Sequence, residues 1–143
     1  GESIVSLDFN KKWFNGCHIE QLYKSDGTEK IWILDAETLA EKDFIQVATN
    51  TKIYSKFNEL EWVEGKIYAN TYQFPSVTII NPENGAIEGV IDFRGLRERL
   101  GNLDDLDSQN HVLNGIAYNQ NTNKLYVTGK NWDKVFEVEI IEK

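Results

Sequence analysis

The sequence is poor in the residues that form disulfides and metal sites. Its one cysteine, Cys17, excludes a disulfide within the chain and a zinc cluster built from several cysteines. Its two histidines, His18 and His111, lie far apart and unaccompanied, which gives no support to a metal site or a Ser-His-Asp triad. We therefore expect neither a bound metal nor a cofactor.

Basic residues and long apolar runs are also scarce. The chain has 15 Lys and Arg residues against 23 Asp and Glu residues, which gives a net charge of −8. Because nucleic-acid phosphates are bound by clustered Lys and Arg, this balance argues against a nucleic-acid partner. No apolar run approaches the roughly 20 residues that cross a bilayer, so we expect no membrane span.

Apolar and aromatic residues, by contrast, are plentiful. They make up 41% and 12% of the 143 residues, which is too much for a disordered chain. The length suits one domain with a real core, and we treat residues 1–143 as a single domain. Short runs rich in Ile, Val, Tyr and Trp recur between turn residues, which predicts an all-β fold. The clearest predicted strands are Ile4–Phe9, Lys30–Asp35, Leu60–Val63, Ile67–Gln73, Val77–Asn81, Ile87–Phe93, Leu125–Thr128 and Lys134–Ile141.

One segment departs from the strand pattern. Between Arg94 and Leu106, the side chains of Leu96, Leu100 and Leu103 fall on one helical face. This spacing predicts a short helix or a set of helical turns, inserted between two runs of strands.

The predicted strands repeat at a fixed phase. Each unit opens with a strand, turns, and returns on a strand that carries Tyr23, Tyr68 or Tyr126. A third strand follows in each unit, and a turn leads into a fourth strand in the first two. The tyrosines are 45 and 58 residues apart, the longer interval containing the helical insertion. Four-stranded units of about 40–45 residues are typical of β-propeller blades. The alternative is a β-sandwich of unrelated hairpins, which predicts no fixed-phase repeat.

The number of units is too small for a closed propeller. Closed propellers have about four to eight blades, whereas this chain contains fewer than three complete units. We therefore expect either part of a larger propeller or one of two chains that complete one.

The repeat also predicts where a site would lie. The first strand of each propeller blade lines the central channel, and the alignment puts Trp13, Asn58 and Asn114 at the start of that strand. Polar and aromatic side chains that converge at one channel mouth would form a pocket. Alternatively, the two asparagines only tie loops together.

Two shorter features have simpler interpretations. The segment Ser25-Asp26-Gly27 predicts a turn. The acidic cluster Asp104-Asp105-x-Asp107 could supply calcium ligands, but it lacks the spacing of a calcium loop. A solvated helix end is the favoured interpretation of that cluster.

Two long motifs resemble one enzyme family. The first consists of Asn58–Trp62 (NELEW) and Ile67–Gln73 (IYANTYQ), and the second of Leu113–Tyr118 (LNGIAY) and Leu125–Trp132 (LYVTGKNW). Together they resemble the plant and bacterial glutaminyl cyclases, or glutamine cyclotransferases. The resemblance runs from about Trp13 to Ile140 and corresponds to the later blades of that family.

The resemblance implies a fold and an activity. Members of the family are five-bladed β-propellers that convert an N-terminal glutamine into pyroglutamate and release ammonia, and the plant type is not known to use a catalytic metal. It implies a peptide with N-terminal Gln as substrate, missing blades or a partner chain that completes the propeller, and a secreted, periplasmic or endomembrane location. By the same resemblance, the expected function is that of a glutaminyl-peptide cyclotransferase.

The resemblance also implies site residues. Asn58 resembles the family's active-site asparagine, and Lys130 resembles a lysine that points into the same pocket and steadies negative charge. Trp13 resembles a pocket tryptophan, although its surroundings read Lys-Trp-Phe-Asn in place of Gly-Trp-Gly-Leu. Tyr72 stands where the family usually has tryptophan, so an aromatic wall is kept. We expect Asn58 and Lys130 to be catalytic, Trp13 and Tyr72 to bind substrate, and all four to converge at one end of the channel.

One expected group is missing from the sequence. The family's acid/base glutamate belongs to an early blade, and no matching segment occurs here. Glu59 and Glu61 belong to a different motif and do not take that role. This leaves an alternative function open, namely a non-catalytic propeller of the same family that acts as a binding or assembly subunit. A ligand-binding propeller unrelated to cyclisation has support only from the fold.

Overall fold

The structure, a computed structural model, describes residues 10–14 and 17–141, and for residues 10–20 the backbone only. These residues form three antiparallel sheets. The first contains β1 (Asn10–Phe14), β2 (Cys17–Ser25), β3 (Lys30–Asp35) and β4 (Glu41–Gln46). The second contains β5 (Phe57–Val63), β6 (Lys66–Thr71), β7 (Ser76–Ile80) and β8 (Ile87–Asp92). The third contains β9 (Leu113–Asn119), β10 (Lys124–Gly129) and β11 (Phe136–Val138).

The strand repeat confirms the all-β prediction. In each sheet the strands are neighbours in chain order, as in a meander. Tyr23, Tyr68 and Tyr126 lie on β2, β6 and β10, which are the second strands of their sheets. The repeat read from the sequence is therefore a repeat of sheets.

The second sheet packs against both of its neighbours, which is why four successive residues of β6 are buried. On one side, the rings of Tyr23 and Trp62 stack with centroids 5.8 Å apart. The core between the first and second sheets contains Tyr23, Ile31, Ile45, Val47, Phe57, Leu60, Ile67, Ala69 and Ile80. The core between the second and third contains Val63, Tyr68, Val77, Phe93, Leu113, Leu125 and Val127.

Side-chain hydrogen bonds join the sheets at one end. The Ser25 hydroxyl, at the end of β2, donates to the backbone carbonyl of Asn58, near the start of β5. The Gly115 amide, near the start of β9, donates to Asn70 Oδ1, near the end of β6, at 3.2 Å. We call this the Asn58 end; it comprises the ends of β2, β6 and β10 and the starts of β5 and β9.

The segment between β8 and β9 confirms the prediction of helical turns near residues 94–106. It forms two 3₁₀ turns, Arg97–Arg99 and Leu103–Asp105. It also contacts the connection from β10 to β11, because Asn102 Nδ2 donates to the Asn131 carbonyl at 2.8 Å. The Lys134 ammonium donates to the Arg99 carbonyl at 2.6 Å. The insertion therefore braces the loop that carries Lys130.

One predicted strand is several residues longer than the observed strand, and another falls on residues that the structure does not describe. The predicted strand Ile4–Phe9 lies outside the described residues. The last strand is Phe136–Val138 rather than Lys134–Ile141. It starts late because the Lys134 carbonyl accepts a hydrogen bond from the Thr128 hydroxyl at 2.8 Å instead of joining the ladder.

No helix in the described part of the chain is long and apolar enough to span a membrane.

Candidate functional site

A β-bulge places two residues of the first motif at the Asn58 end. The register of β5 against β6 shifts between Phe57 and Leu60. Two β5 residues, Asn58 and Glu59, therefore stand opposite one β6 residue, Asn70. A bulge bends its strand and re-aims side chains, and bulges are common beside active sites.

A second bulge occupies the corresponding position in the third sheet. The register of β10 against β9 shifts between Val127 and Gly129, so Asn114 and Gly115 stand opposite Thr128. The asparagine is the first residue of the bulge in both sheets. This correspondence confirms the predicted equivalence of Asn58 and Asn114.

The two bulge asparagines are joined to each other. Asn58 Nδ2 donates a hydrogen bond to Asn114 Oδ1 at 2.6 Å. Asn70 lies beneath them with 1% of its surface exposed, and its Oδ1 accepts from the Gly115 amide. The Nδ2 atom of Asn70 is buried and has no hydrogen-bond partner among the described residues. The hydrogen bond to Asn114 therefore orients the Asn58 carboxamide, while Asn70 holds the backbone of the second bulge.

Ser25 holds the backbone of Asn58 in place. The Ser25 side chain is 1% exposed, and its hydroxyl donates to the Asn58 carbonyl. The Ser25–Gly27 segment does form the turn that the sequence predicts, held by Asp26 Oδ1, which accepts from the Thr28 amide at 3.0 Å. The contact of Ser25 with Asn58 spans 33 residues and leaves no local pattern in the sequence.

Lys130 and Tyr72 meet at the Asn58 end. Lys130 follows β10, and its amide donates to the Val112 carbonyl at 3.0 Å. Its ammonium lies 5.8 Å from the centroid of the Tyr72 ring, within the range of a cation–π interaction. The Tyr72 amide in turn donates to the Lys56 carbonyl at 2.7 Å. Lys130 is exposed, whereas Tyr72 is half-buried.

Glu59 adds a carboxyl group beside this lysine. Partial burial raises the pKa of the Glu59 carboxyl above its usual value, and the Lys130 charge opposes that shift. Glu59 therefore links the first bulge electrostatically to Lys130. The sequence reasoning set Glu59 aside because it is not the family's acid/base residue, and a bulge that brings it to the site leaves no signal in the spacing.

The structure does not bring Trp13 to this place. Trp13 pairs with His18 and Phe14 pairs with Cys17, so Trp13 lies beside the connection between β1 and β2. The Asn58 end of β2 is at Ser25, seven residues beyond His18, or about 23 Å along a strand. The Trp13 backbone is therefore separated from the Asn58 end by most of the length of β2.

The acidic cluster forms a local turn. Asp107 Oδ1 accepts from the Gln109 amide at 2.7 Å, and Asp107 Oδ2 accepts from Asn110 Nδ2 at 2.6 Å. Among the residues that the structure describes, no three His, Cys, Asp or Glu side chains are grouped to hold a metal ion.

The chemistry available at the Asn58 end follows from its groups. An oriented carboxamide and an ammonium can stabilise negative charge on a substrate oxygen. The Tyr72 ring offers an apolar wall, and a carboxyl of raised pKa stands beside them. Such a set suits the binding of a carboxamide whose carbonyl oxygen gains negative charge during reaction.

Comparisons with known proteins show the family of the chain. The family model described as glutamine cyclotransferase matches residues 8–140. A glutaminyl-peptide cyclotransferase of Arabidopsis thaliana is 32% identical over 119 residues, which are 83% of this chain and 37% of that protein. The crystal structure of Myxococcus xanthus glutaminyl cyclase is similar with a TM-score of 0.77 and 30% identity, covering 92% of this chain and 54% of that one. The chain thus spans about a third to a half of the length of these relatives, and it belongs to the glutamine cyclotransferase family.

Proposed function

We propose that this chain supplies the later blades of a glutaminyl-peptide cyclotransferase, which converts an N-terminal glutamine to pyroglutamate with release of ammonia. One observation carries the proposal: Asn58, Tyr72 and Lys130, which come from two motifs and span 72 positions of the sequence, lie at one end of the sheets. Family membership and the names of the two relatives support the choice of reaction.

The proposal includes a five-bladed β-propeller in which the three sheets are consecutive blades. It is supported by the order of the sheets, by the packing of the second sheet on both neighbours, and by contacts between the first strands β5 and β9. In such a ring β5 and β9 would line the channel, and the Asn58 end would be one of its mouths.

The reaction assigns a task to each group. The α-amine of the glutamine attacks its own side-chain carbonyl carbon, so an N–C bond forms and the carbonyl oxygen gains negative charge. The intermediate then collapses, the bond to the carboxamide nitrogen breaks, and ammonia leaves with a proton derived from the amine. Asn58 and Lys130 would stabilise the oxyanion, and Tyr72 would pack on the methylenes of the substrate.

Proton transfer requires a further carboxyl group. The resemblance places that glutamate in an early blade, and loss of such a group costs a factor on the order of 10²–10⁴ in rate. An open ring also leaves Asn58 and Lys130 in water, where their electric fields are weak. We therefore expect the 143-residue chain alone to be inactive.

The test measures ammonia release from a peptide with N-terminal glutamine. The 143-residue chain is compared with the same chain preceded by the first blades of a family member. We expect turnover only in the completed ring. Equal turnover by both proteins would contradict the need for the early blades, and no turnover by either would contradict the enzymatic function.

A second candidate is a non-catalytic propeller that binds peptides or assembles with other chains. The specific observation in its favour is Tyr72, which stands where the family usually has tryptophan. Under this hypothesis the completed ring binds a glutamine-initiated peptide, and neither mass spectrometry nor the ammonia assay detects conversion.

Location and partners follow from the same proposal. The protein would act on peptides outside the cytoplasm, in a secreted, periplasmic or endomembrane setting. Its partner would be the peptide substrate, together with missing blades or another chain that closes the ring.

A further inference from the structure

A cavity lies beside the Asn58 end. Its volume is about 240 Å³, and it is enclosed by the β6–β7 connection, the insertion and the β10–β11 connection. This is smaller than the roughly 300–1,000 Å³ of typical small-molecule sites, and it suits one large side chain. The residues that line it include Phe74, Pro75, Phe93, Arg97, Val112 and Trp132.

Two residues that line the cavity are close in sequence to residues of the Asn58 end. Phe74 is two residues from Tyr72, and Trp132 is two residues from Lys130. At the base, the Val112 carbonyl accepts the hydrogen bond from the Lys130 amide. A ligand group at the Asn58 end therefore lies next to the opening of this cavity.

The walls are aromatic and firmly held. Trp132 Nε1 donates to the His111 carbonyl at 3.0 Å, and the Trp132 ring packs edge-on against Phe136 with centroids 6.2 Å apart. A Cβ atom on Gly129 would lie 2.3 Å from the Trp132 ring, so the close approach of ring and backbone requires glycine. The indole is thus part of a preformed surface.

The mouth of the cavity exposes an aromatic ring to water. Phe74 is 52% exposed, whereas Phe93 in the interior is 9% exposed. An exposed aromatic ring at the opening of an apolar cavity gains free energy when a ligand covers it.

Three charged residues also line the cavity, namely Arg94, Arg97 and Glu98. Arg97 is half-buried, and its Nη2 donates to the Leu106 carbonyl at 3.1 Å. A guanidinium favours the electron-rich face of an aromatic ligand. The aromatic walls and the Arg97 guanidinium together suit an aromatic side chain.

We propose that this cavity is the subsite for the residue that follows the glutamine, and that it selects an aromatic side chain there. The inference rests on the proposed function, because it places the glutamine at the Asn58 end. Consecutive Cα atoms are about 3.8 Å apart, and successive side chains of an extended peptide point in opposite directions. With the glutamine side chain against Asn58 and Lys130, the next side chain can therefore turn away towards Phe74.

A binding experiment tests the subsite without requiring turnover. Pyroglutamyl-phenylalanine amide and pyroglutamyl-glycine amide are titrated into the 143-residue protein, with amide chemical shifts recorded by NMR. We expect the phenylalanine ligand to bind about tenfold more tightly or better, since it buries one aromatic ring. The largest shifts should fall at Phe74 and Trp132. Equal affinity of the two ligands would overturn the subsite.

Matched variants separate the subsite from a general loss of structure. Phe74→Ala should remove the preference, whereas Phe44→Ala on the first sheet, where Phe44 is 44% exposed, should keep it. Thermal unfolding of both variants checks that they fold. Loss of the preference in Phe44→Ala as well would overturn the assignment to this cavity.

Turnover by the completed ring separates the two proposals. If Gln-Phe amide and Gln-Gly amide are converted with equal kcat/KM, the subsite is wrong while the proposed function stands. If neither peptide is converted, the proposed function fails, and the binding experiment alone decides whether the cavity recognises an aromatic ring.

Discussion

The carboxamide of Asn58 donates a 2.6 Å hydrogen bond to the carboxamide of Asn114, which lies 56 residues later in the chain. The two residues are the first residues of equivalent bulges in neighbouring sheets. This hydrogen bond thus connects the two motifs that carry the family resemblance, and it orients the Asn58 carboxamide.

Removal of either asparagine should lower activity by different routes. Asn58→Ala removes a group that stabilises the oxyanion, and we expect kcat of the completed ring to fall about 10²–10³-fold. Asn114→Ala leaves that group but frees its orientation, so kcat should fall less. As a control, Asn81→Ala breaks a carboxamide hydrogen bond to Glu88 and should leave kcat unchanged. A fall as large in Asn114→Ala as in Asn58→Ala would contradict the division of roles.

The charge of Lys130 should matter more than that of other exposed lysines. Lys130→Ala removes the cation next to Tyr72, and kcat in the ammonia assay should fall about 10²-fold or more. The control is Lys124→Ala, which removes an exposed ion pair with Glu137. Similar kcat values for the two variants would rule out a catalytic role for Lys130.

Substrate binding should depend on the aromatic ring of Tyr72 rather than on its hydroxyl group. Tyr72→Phe and Tyr72→Trp keep a ring beside Lys130, and both should leave KM within about threefold of the parent. Tyr72→Ala removes the wall and the cation–π partner, each worth about 1 kcal/mol, so KM should rise about thirtyfold. A rise in KM with Tyr72→Phe would instead indicate that the hydroxyl binds the substrate.

The raised pKa of Glu59 predicts a specific pH dependence of stability. The folded protein holds the Glu59 proton more tightly than the unfolded chain does, because burial disfavours the carboxylate. Stability from this group is therefore full below the ordinary pKa near 4.5 and is lost as the pH rises through the raised value. Glu59→Gln should remove this loss, so the variant should be more stable than the parent in urea at pH 7. An unchanged pH dependence would contradict the assignment.

The carboxyl of Asp35 should change stability with pH in the opposite direction to that of Glu59. The amides of Thr38 and Glu37 donate to its carboxylate, and together with Lys42 they lower its pKa to about 2. Its contribution to stability is therefore present above the ordinary pKa of 3.8 and is lost as the pH falls towards 2. In Asp35→Asn, the free energy of unfolding in urea should fall less between pH 4 and pH 2 than in the parent. The loss of stability at higher pH that is due to Glu59 should be the same in both proteins.

The insertion should control the rigidity of the Lys130 loop. Asp133 Oδ1 accepts from the Gly101 amide at 3.2 Å, and Asn102 Nδ2 donates to the Asn131 carbonyl at 2.8 Å. In the double variant Asn102→Ala/Asp133→Ala, amide exchange in residues 130–135 should accelerate about thirtyfold, since each of the two hydrogen bonds contributes about 1 kcal/mol. The control Asp104→Ala alters an exposed residue of the same insertion. Equal exchange rates in both variants would contradict the bracing role.

Periodicity was sufficient to predict the sheets but not their internal register. Tyr23, Tyr68 and Tyr126 recur on the second strand of each sheet, because turn residues and apolar alternation are local signals. A bulge shifts the register without any such signal, since it depends on how two strands pair. Sequence reasoning therefore found Asn58 and Asn114 but could not place Glu59 beside Lys130.

The position of Trp13 shows a related limit. Trp13 and Asn58 each lie ten residues before a tyrosine, Tyr23 and Tyr68, but equal spacing gives equal phase only if both units turn at the same distance from the tyrosine. The first sheet instead pairs Phe14 with Cys17, so its hairpin closes close to Trp13. Residue spacing transfers between repeats only when the hairpins have equal lengths.

The paired bulges also bear on how this site can change. Each bulge holds one residue more than its partner strand, and side chains alternate along a strand. Deleting one residue from the Asn58–Glu59 pair would straighten β5 and leave a single side chain opposite Asn70, whereas the core residues from Leu60 to Val63 would keep their pairing with β6. The deletion of one residue can thus change which side chain lies at the Asn58 end while the buried apolar residues keep their pairing. Length variation at this position is therefore a route to new chemistry that substitutions alone do not provide.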